Sequence, residues 1–215
     1  MEIYVDDNKI DYQPTFPLTW GNLSRELQQN ADYIKKNHVI VRIVADGEES
    51  LRVITEQSES EKMVPENIKT LQIFTKDSLS ITREGFSRVL AIIEGIKSEI
   101  SGAAVLYREG NVKDASSKIV NVMEAFKPMI NFIQSVGMSF LLNFDEIYLQ
   151  PGLSIREKMD SFVKTFEVLV AAQVKRDYVE IANYLDHQLS RDMLEWTKVV
   201  NQLLKEVEAT FSSTS

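Results

Sequence analysis

The side chains that most often carry chemistry are sparse in this chain, whose 215 residues include two histidines and no cysteine. Without cysteine there is no disulfide framework, no iron–sulfur cluster and no thiolate zinc site. His38 and His187 cannot make a His-Glu-x-x-His zinc motif. A di-iron site in a helical bundle needs Glu-x-x-His, and the residue three before His187 is Tyr184. His38 reads as a helix-end or strand-end residue. The carboxylate pairs Asp6-Asp7, Glu48-Glu49 and Asp145-Glu146 are adjacent in sequence, and neighbouring residues on a turn or helix seldom converge on one reacting bond, so they read as solvated surface. No glycine-rich loop matches a phosphate cradle or a dinucleotide fingerprint, and the tail Ser212-Ser213-Thr214-Ser215 has no companion base. No catalytic, cofactor-binding or metal-ligating set emerges, and the expectation is a protein that is not an enzyme.

Charge narrows the partners. The formal net charge is −8, with 13 acidic and 9 basic side chains over residues 1–76 and 19 and 15 over residues 77–215. A nucleic-acid binder concentrates Lys and Arg on one face to displace counterions from phosphates. The densest basic spots here are Lys35-Lys36 and Lys175-Arg176, near predicted helix ends where the dipole favours cations. Neither nucleic acid nor an anionic membrane is expected as a partner. The acidic start, Met1-Glu2-Ile3-Tyr4-Val5-Asp6-Asp7, has no basic n-region or apolar h-region, and no stretch reaches the 18 or so apolar residues of a membrane span. The expected location is the cytoplasm.

One stretch stands out for binding. Residues Gly137 to Gly152 crowd Met138, Phe140, Leu141, Leu142, Phe144, Ile147, Tyr148 and Leu149 together without a Lys or Arg. Two readings are open. The stretch is either a continuation of a helix, or a crossover beneath the core, or it is an apolar surface for a partner helix or a second copy of the chain. On the second reading the candidate partner-binding residues are Met138, Phe140, Leu141, Phe144 and Tyr148. The set Met129, Met138, Met159 and Met193 with Trp196 reads as core filling.

The elements that would position these residues fall into two pattern regimes. Over residues 1–76, alternation at Ile3, Val5, Ile10 and Tyr12 around the turn residues Asp7-Asn8 predicts a β-hairpin. A helix capped by Thr19 follows, with Leu23, Leu27 and Ile34 on its stripe and Lys35, Lys36 and Asn37 at its end. Val39–Val44 reads as a strand covered on both faces. A short strand is expected through Leu51, Val53 and Thr55, a single turn at Pro65–Ile68, and a last strand over Leu71–Thr75. From Ser78 the apolar period becomes 3.6. Helices are expected over about 82–108, from about Val112 with a kink at Pro128, from the capping box at Ser154–Glu157, and over 178–209, with a frayed tail after that. Trp196 is expected to be buried and Trp20 partly exposed. A faint repeat at an offset of 67 pairs Ala115 with Ala182, Val122 with Leu189, Phe126 with Met193, Met129 with Trp196 and Ile133 with Val200, and it is broken by Lys118 against Leu185 and Ile119 against Asp186.

The predicted class is α+β: a β-grasp-like domain over 1–76, then an all-α antiparallel four-helix bundle over 77–215. In element order the first part resembles the ubiquitin-like β-grasp fold, which implies a binding module. Its last strand runs into Lys76-Asp77-Ser78 rather than a Gly-Gly tail, so conjugation is not implied. The hairpin turns Arg-Glu-Gly-Asn-Val-Lys-Asp-Ala at 108–115 and Lys-Arg-Asp-Tyr-Val-Glu-Ile-Ala at 175–182, with a tryptophan near the end of the last helix, resemble the helical flagellin-chaperone family. That resemblance covers about 83–207 and implies a small acidic bundle holding the disordered, amphipathic end of an export substrate. The expected function is a cytoplasmic chaperone or adaptor that takes an amphipathic helical segment of a partner protein. A homo-oligomeric scaffold is one alternative, and a small-ligand or catalytic protein with a pocket between the domains is another.

Overall fold

The structure, a computed structural model, describes residues 1–52 and 61–214. The chain is mixed α+β and divides into two compact units, Met1–Ile81 and Thr82–Ser215.

The first unit is built on a five-stranded mixed sheet. Strands β1 (Glu2–Val5) and β2 (Asn8–Ile10) form a hairpin whose turn is Asp6-Asp7, one residue earlier than the expected Asp7-Asn8. Both turn residues take positive φ, 45° and 66°, as a tight two-residue hairpin loop requires and as Asp tolerates. The Asp6 carboxylate also accepts the Thr75 backbone N–H at 2.7 Å. Helix α1 (Trp20–Gln29) starts at Thr19, whose hydroxyl accepts the Asn22 N–H at 3.2 Å. It ends at Asn30 instead of continuing to Asn37, because Asn30 turns its side chain to the Asp32 N–H and so offers the backbone a turn in place of another helical hydrogen bond. Strands β3 (His38–Ala45), β4 (Glu48–Arg52) and β5 (Thr70–Asp77) complete the sheet in the order β2-β1-β5-β3-β4, with β1 and β5 parallel and the other neighbours antiparallel.

Ile3, Val5, Ile40, Ile43, Leu71 and Ile73 are buried with Trp20, Leu23 and Leu27 of α1 in one core. Trp20 is core, only 5% exposed, against the expectation of partial exposure; it shares the i, i+3, i+7 stripe of Leu23 and Leu27, which turns it to the sheet. The expectation that β3 is covered on both faces also fails. Arg42 is exposed and lies 4.0 Å over the Phe74 ring. A register shift between Ile40 and Arg42 brings Ile40 and Ile43 to the same buried side despite their odd spacing. Of the expected short strand, Val53 and Thr55 lie outside the described residues.

The second unit is mostly helical. Helix α2 (Ser78–Arg108) begins four residues earlier than the expected Thr82, with the Asp77 carboxylate accepting the Ser80 N–H at 2.8 Å. Helix α3 (Val112–Ser139) is capped by Asn111 and carries Pro128 inside one unbroken element. A two-stranded hairpin, β6 (Tyr148–Gln150) and β7 (Leu153–Ser154), leads into α4 (Ile155–Lys175). The capping box there is complete: Ser154 Oγ accepts the Glu157 N–H at 3.1 Å and Glu157 Oε2 accepts the Ser154 N–H at 2.7 Å. Helix α5 (Tyr178–Tyr184), a π-helical turn at Leu185–Leu189 and α6 (Ser190–Thr214) occupy the span expected to be one helix.

That π-helical turn accounts for the broken repeat. Up to its first residue, an offset of 66 pairs Ala115 with Ile181 and Ile119 with Leu185; from its last residue onward, an offset of 67 pairs Val122 with Leu189 and Met129 with Trp196, and all eight side chains are buried. A π turn accommodates one extra residue per turn, which is the register step between the two offsets. The tail is not frayed either. Helix α6 continues to Thr214, and the Phe211 ring packs at 5.5 Å against Phe140. Deeper in the unit, the Phe162 ring meets Phe126 at 4.2 Å and Trp196 at 5.5 Å. Lys158 and Asp192 form a buried ion pair at 2.7 Å, with Thr165 Oγ1 donating to the second Asp192 oxygen at 3.2 Å.

Candidate partner-binding surface

The apolar stretch begins inside the last turn of α3 and its geometry follows from how that helix stops. The Leu142 N–H donates to the Gly137 carbonyl at 2.9 Å and the Leu141 N–H to the Met138 carbonyl at 3.4 Å, the paired 6→1 and 5→2 bonds of a Schellman ending. That ending places the residue after the C-cap in the left-handed region, where glycine is the usual occupant because it has no Cβ to clash. Here the residue is Leu141, at φ 53°. Its side chain is 90% exposed.

The five candidate residues separate by environment. Met138 (71% exposed), Leu141 and Tyr148 (58% exposed) stand out from the surface. Phe140 is half-buried beneath Phe211. Phe144 is only 6% exposed, so its expected place on the partner surface is corrected: it is a core residue. The reason is Gly137, on which a Cβ would stand 2.4 Å from Phe144 Cζ. The missing side chain opens the slot into which the phenyl ring folds back. The stretch therefore has a buried floor and an exposed rim.

Around this rim lies a cleft of about 410 Å³ lined by Gln134, Gly137, Met138, Leu141, Leu142, Phe144 and Arg156. Arg156 and Gln134 were not among the candidates. Arg156 is the second residue of α4, and its backbone N–H donates to the Phe144 carbonyl at 3.2 Å, tying the start of α4 to the end of the stretch. Its guanidinium lies 6.0 Å from the Phe144 ring centre, and Nε lies 4.0 Å from Asp145 Oδ1. A signal for it exists in the sequence: from Pro128 to Ile155 there is no Lys or Arg, and Arg156 ends that run.

Among the described residues, no group of three or more His, Cys, Asp and Glu side chains could hold a metal ion. His187 is exposed, and its neighbour Asp186 pairs with Arg108. The buried Lys158 is neutralised by Asp192, with Glu195 Oε2 a further 3.7 Å contact. Among the described residues, no helix is long and apolar enough to cross a membrane. What the cleft can do chemically is bury apolar side chains against Gly137, Leu142 and Phe144 while one guanidinium and one carboxamide face whatever lies above.

Residues 84–199 match the model of a domain of unknown function, DUF8042, over more than half of the chain. The chain belongs to that family. Its DUF8042 region contains every residue that lines the cleft, together with the π turn and the buried Lys158–Asp192 pair. No curated protein and no solved structure matches the chain.

Proposed function

We propose that this protein is a non-enzymatic chaperone or adaptor of the cytoplasm, whose DUF8042 region seats an amphipathic helical segment of a partner protein on the surface formed by Met138, Leu141 and Tyr148. The observation that carries the reading is Leu141. A left-handed leucine costs about 1 kcal/mol or more relative to glycine at the same position, and leaving its side chain in water forgoes a further burial gain of roughly 1.5–3 kcal/mol. Neither loss is offset within the monomer, whereas an apolar segment laid over Met138, Leu141 and Tyr148 would recover the second. Helix-in-groove recognition works in this way, with apolar anchors spaced by one helical turn.

The architecture fits a module that binds rather than reacts. We read the first unit as a β-grasp domain, supported by its hairpin, helix α1 and the central parallel pairing of β1 with β5. We read the second as a four-helix bundle in which α5, the π turn and α6 together act as the fourth rod, supported by the tight turns at Glu109–Asn111 and Arg176–Asp177. The likeness of those turns to flagellin-type export chaperones supplies a model for the partner, the disordered and amphipathic end of a chain awaiting export.

The test uses the absence of native cysteine. Leu141→Cys labelled with a benzophenone maleimide should cross-link, in extract of the source cells, to a second protein. The same label on Val174→Cys, an exposed site about 27 Å further along α4 than Arg156, should not. Cross-links only between copies of this chain would replace the proposal with a homo-oligomeric scaffold, and equal labelling from both positions would remove the site.

A further inference from the structure

Two residues of the cleft stand against the local rules of the elements that carry them. Leu141 occupies a left-handed position that favours glycine. Arg156 is the second residue of α4, at the end of a helix where the backbone dipole favours acidic side chains and disfavours a cation. Neither recovers the loss nearby. Among the described residues, the Arg156 guanidinium makes one ion-pair contact, at 4.0 Å to the exposed Asp145, and it lies at the outer limit of cation–π range from Phe144. Residues that break local preferences without a compensating contact are where another demand has set the sequence, and these two line the same cleft.

We infer that Arg156 is the specificity-determining residue of this surface, and that the segment seated there carries a carboxylate side chain one helical turn from the apolar residue that enters the cleft. This rests on the interaction reading above and names the chemistry of the partner. Among the described residues, Arg156 is the one ionisable side chain of the cleft lining. A planar guanidinium beside an apolar floor matches a carboxylate bidentately, and the match strengthens as the seated segment excludes water. Gln134 supplies a second donor on the lining. Asp145 holds the guanidinium weakly until the partner's carboxylate displaces it. Bulk charge points the other way: a chain of net charge −8, with Asp145 and Glu146 beside the cleft, attracts basic segments at long range. A preference for an acidic segment is therefore a signature of Arg156 itself.

The test uses three fluorescein-labelled 18-residue helical peptides with the same apolar stripe of leucines, differing only in Glu, Gln or Lys at one position a turn from the central leucine. Anisotropy titrations with the full chain should rank Glu first, by about tenfold over Gln, a ratio expected of one charge-assisted pair. Arg156→Gln should erase the difference between the Glu and Gln peptides, Arg156→Glu should move the preference to Lys, and Asp145→Asn should tighten the Glu peptide. Leu141→Asp should weaken all three, the Lys peptide least, because the new carboxylate lies on the same cleft as Arg156. Circular dichroism melts of each variant separate lost recognition from lost folding. Equal affinities for the three peptides, with Leu141→Asp still weakening them, would overturn the role of Arg156 and leave the interaction surface standing. Absence of saturable binding by all three, or binding indifferent to Leu141→Asp, would overturn the surface and the role together.

Discussion

Replacing Leu141 with glycine should make the protein more stable and less able to bind. The backbone at this position is left-handed, φ 53°, and is held by the two hydrogen bonds that close α3. An L-residue pays about 1–2 kcal/mol there that glycine does not, and glycine returns about 0.4–1 kcal/mol through its greater freedom in the unfolded chain. With the side chain 90% exposed, almost no burial is lost. The balance favours Leu141→Gly by about 1 kcal/mol, a rise of roughly 2–6 °C in the melting transition of the helical unit. Circular dichroism melts and urea titrations at low protein concentration measure it, and the benzophenone and peptide assays measure the opposite effect on binding. An unchanged or lower transition would mean that Leu141 is already covered in solution, by a second copy or by the chain itself. The reasoning that makes it a partner residue would then be wrong. Leu141→Asp provides the companion measurement: stability within about 0.5 kcal/mol of the native chain, with binding lost.

Phe144 should behave in the opposite manner, because Phe144→Ala empties the slot over Gly137 and is expected to cost about 3–5 kcal/mol in urea unfolding, whereas a loss below 1 kcal/mol would return Phe144 to the surface. Gly137→Ala places a Cβ 2.4 Å from that ring and should destabilise by about 1–3 kcal/mol, most of it recovered when Phe144→Leu is combined with it. Asp192→Asn leaves the buried Lys158 ammonium with only the longer Glu195 contact, at 3.7 Å, and should cost about 3 kcal/mol, while the paired replacement Lys158→Met with Asp192→Leu should be near neutral; equal penalties for single and double variants would contradict the pairing. The hydrogen bond from Lys118 Nζ holds the Glu99 carboxyl below its ordinary value of 4.5. Its contribution is therefore present above that value and fades as pH falls through the lowered one, and Lys118→Met should flatten the part of the acid-unfolding profile that belongs to α2 and α3.

Much of the architecture was legible because its signals are local. The capping box at Ser154–Glu157, the cap at Thr19 and the change of period near Ser78 each depend on residues within one or two turns, and each marks a real boundary. The failures are places where a distant or competing contact decides. Trp20 opens a helix, which sequence position alone associates with exposure, yet the sheet lies under its face. The last turn of α6 is rich in Ser and Thr and reads as frayed, but Phe211 finds the Phe140 ring. The π turn was visible only as a fault in a repeat, since one extra residue in a helix changes no residue type and leaves only a step in register.

The surface was legible by composition and illegible by role. A run of apolar residues without a cation marks the segment, but five residues of similar hydrophobicity divide into floor and rim according to one glycine: Gly137 admits the ring of Phe144 and so leaves Met138 and Leu141 as the outer layer. The two residues that carry the functional argument are ordinary in type and unusual only in position. Leucine is unremarkable until the helix is capped one residue before it, at Phe140, and arginine until a helix begins one residue before it, at Ile155. Both anomalies are measured against helix termini, which sequence patterns place least securely, and both termini face a cleft that exists only after α3 and α4 have packed. A residue whose local energetics oppose its own element is informative because the fold alone would have replaced it; glycine at 141 and an acidic side chain at 156 would each have served the isolated chain better. Their presence on one cleft is what links the end of α3 and the start of α4 to a partner rather than to stability.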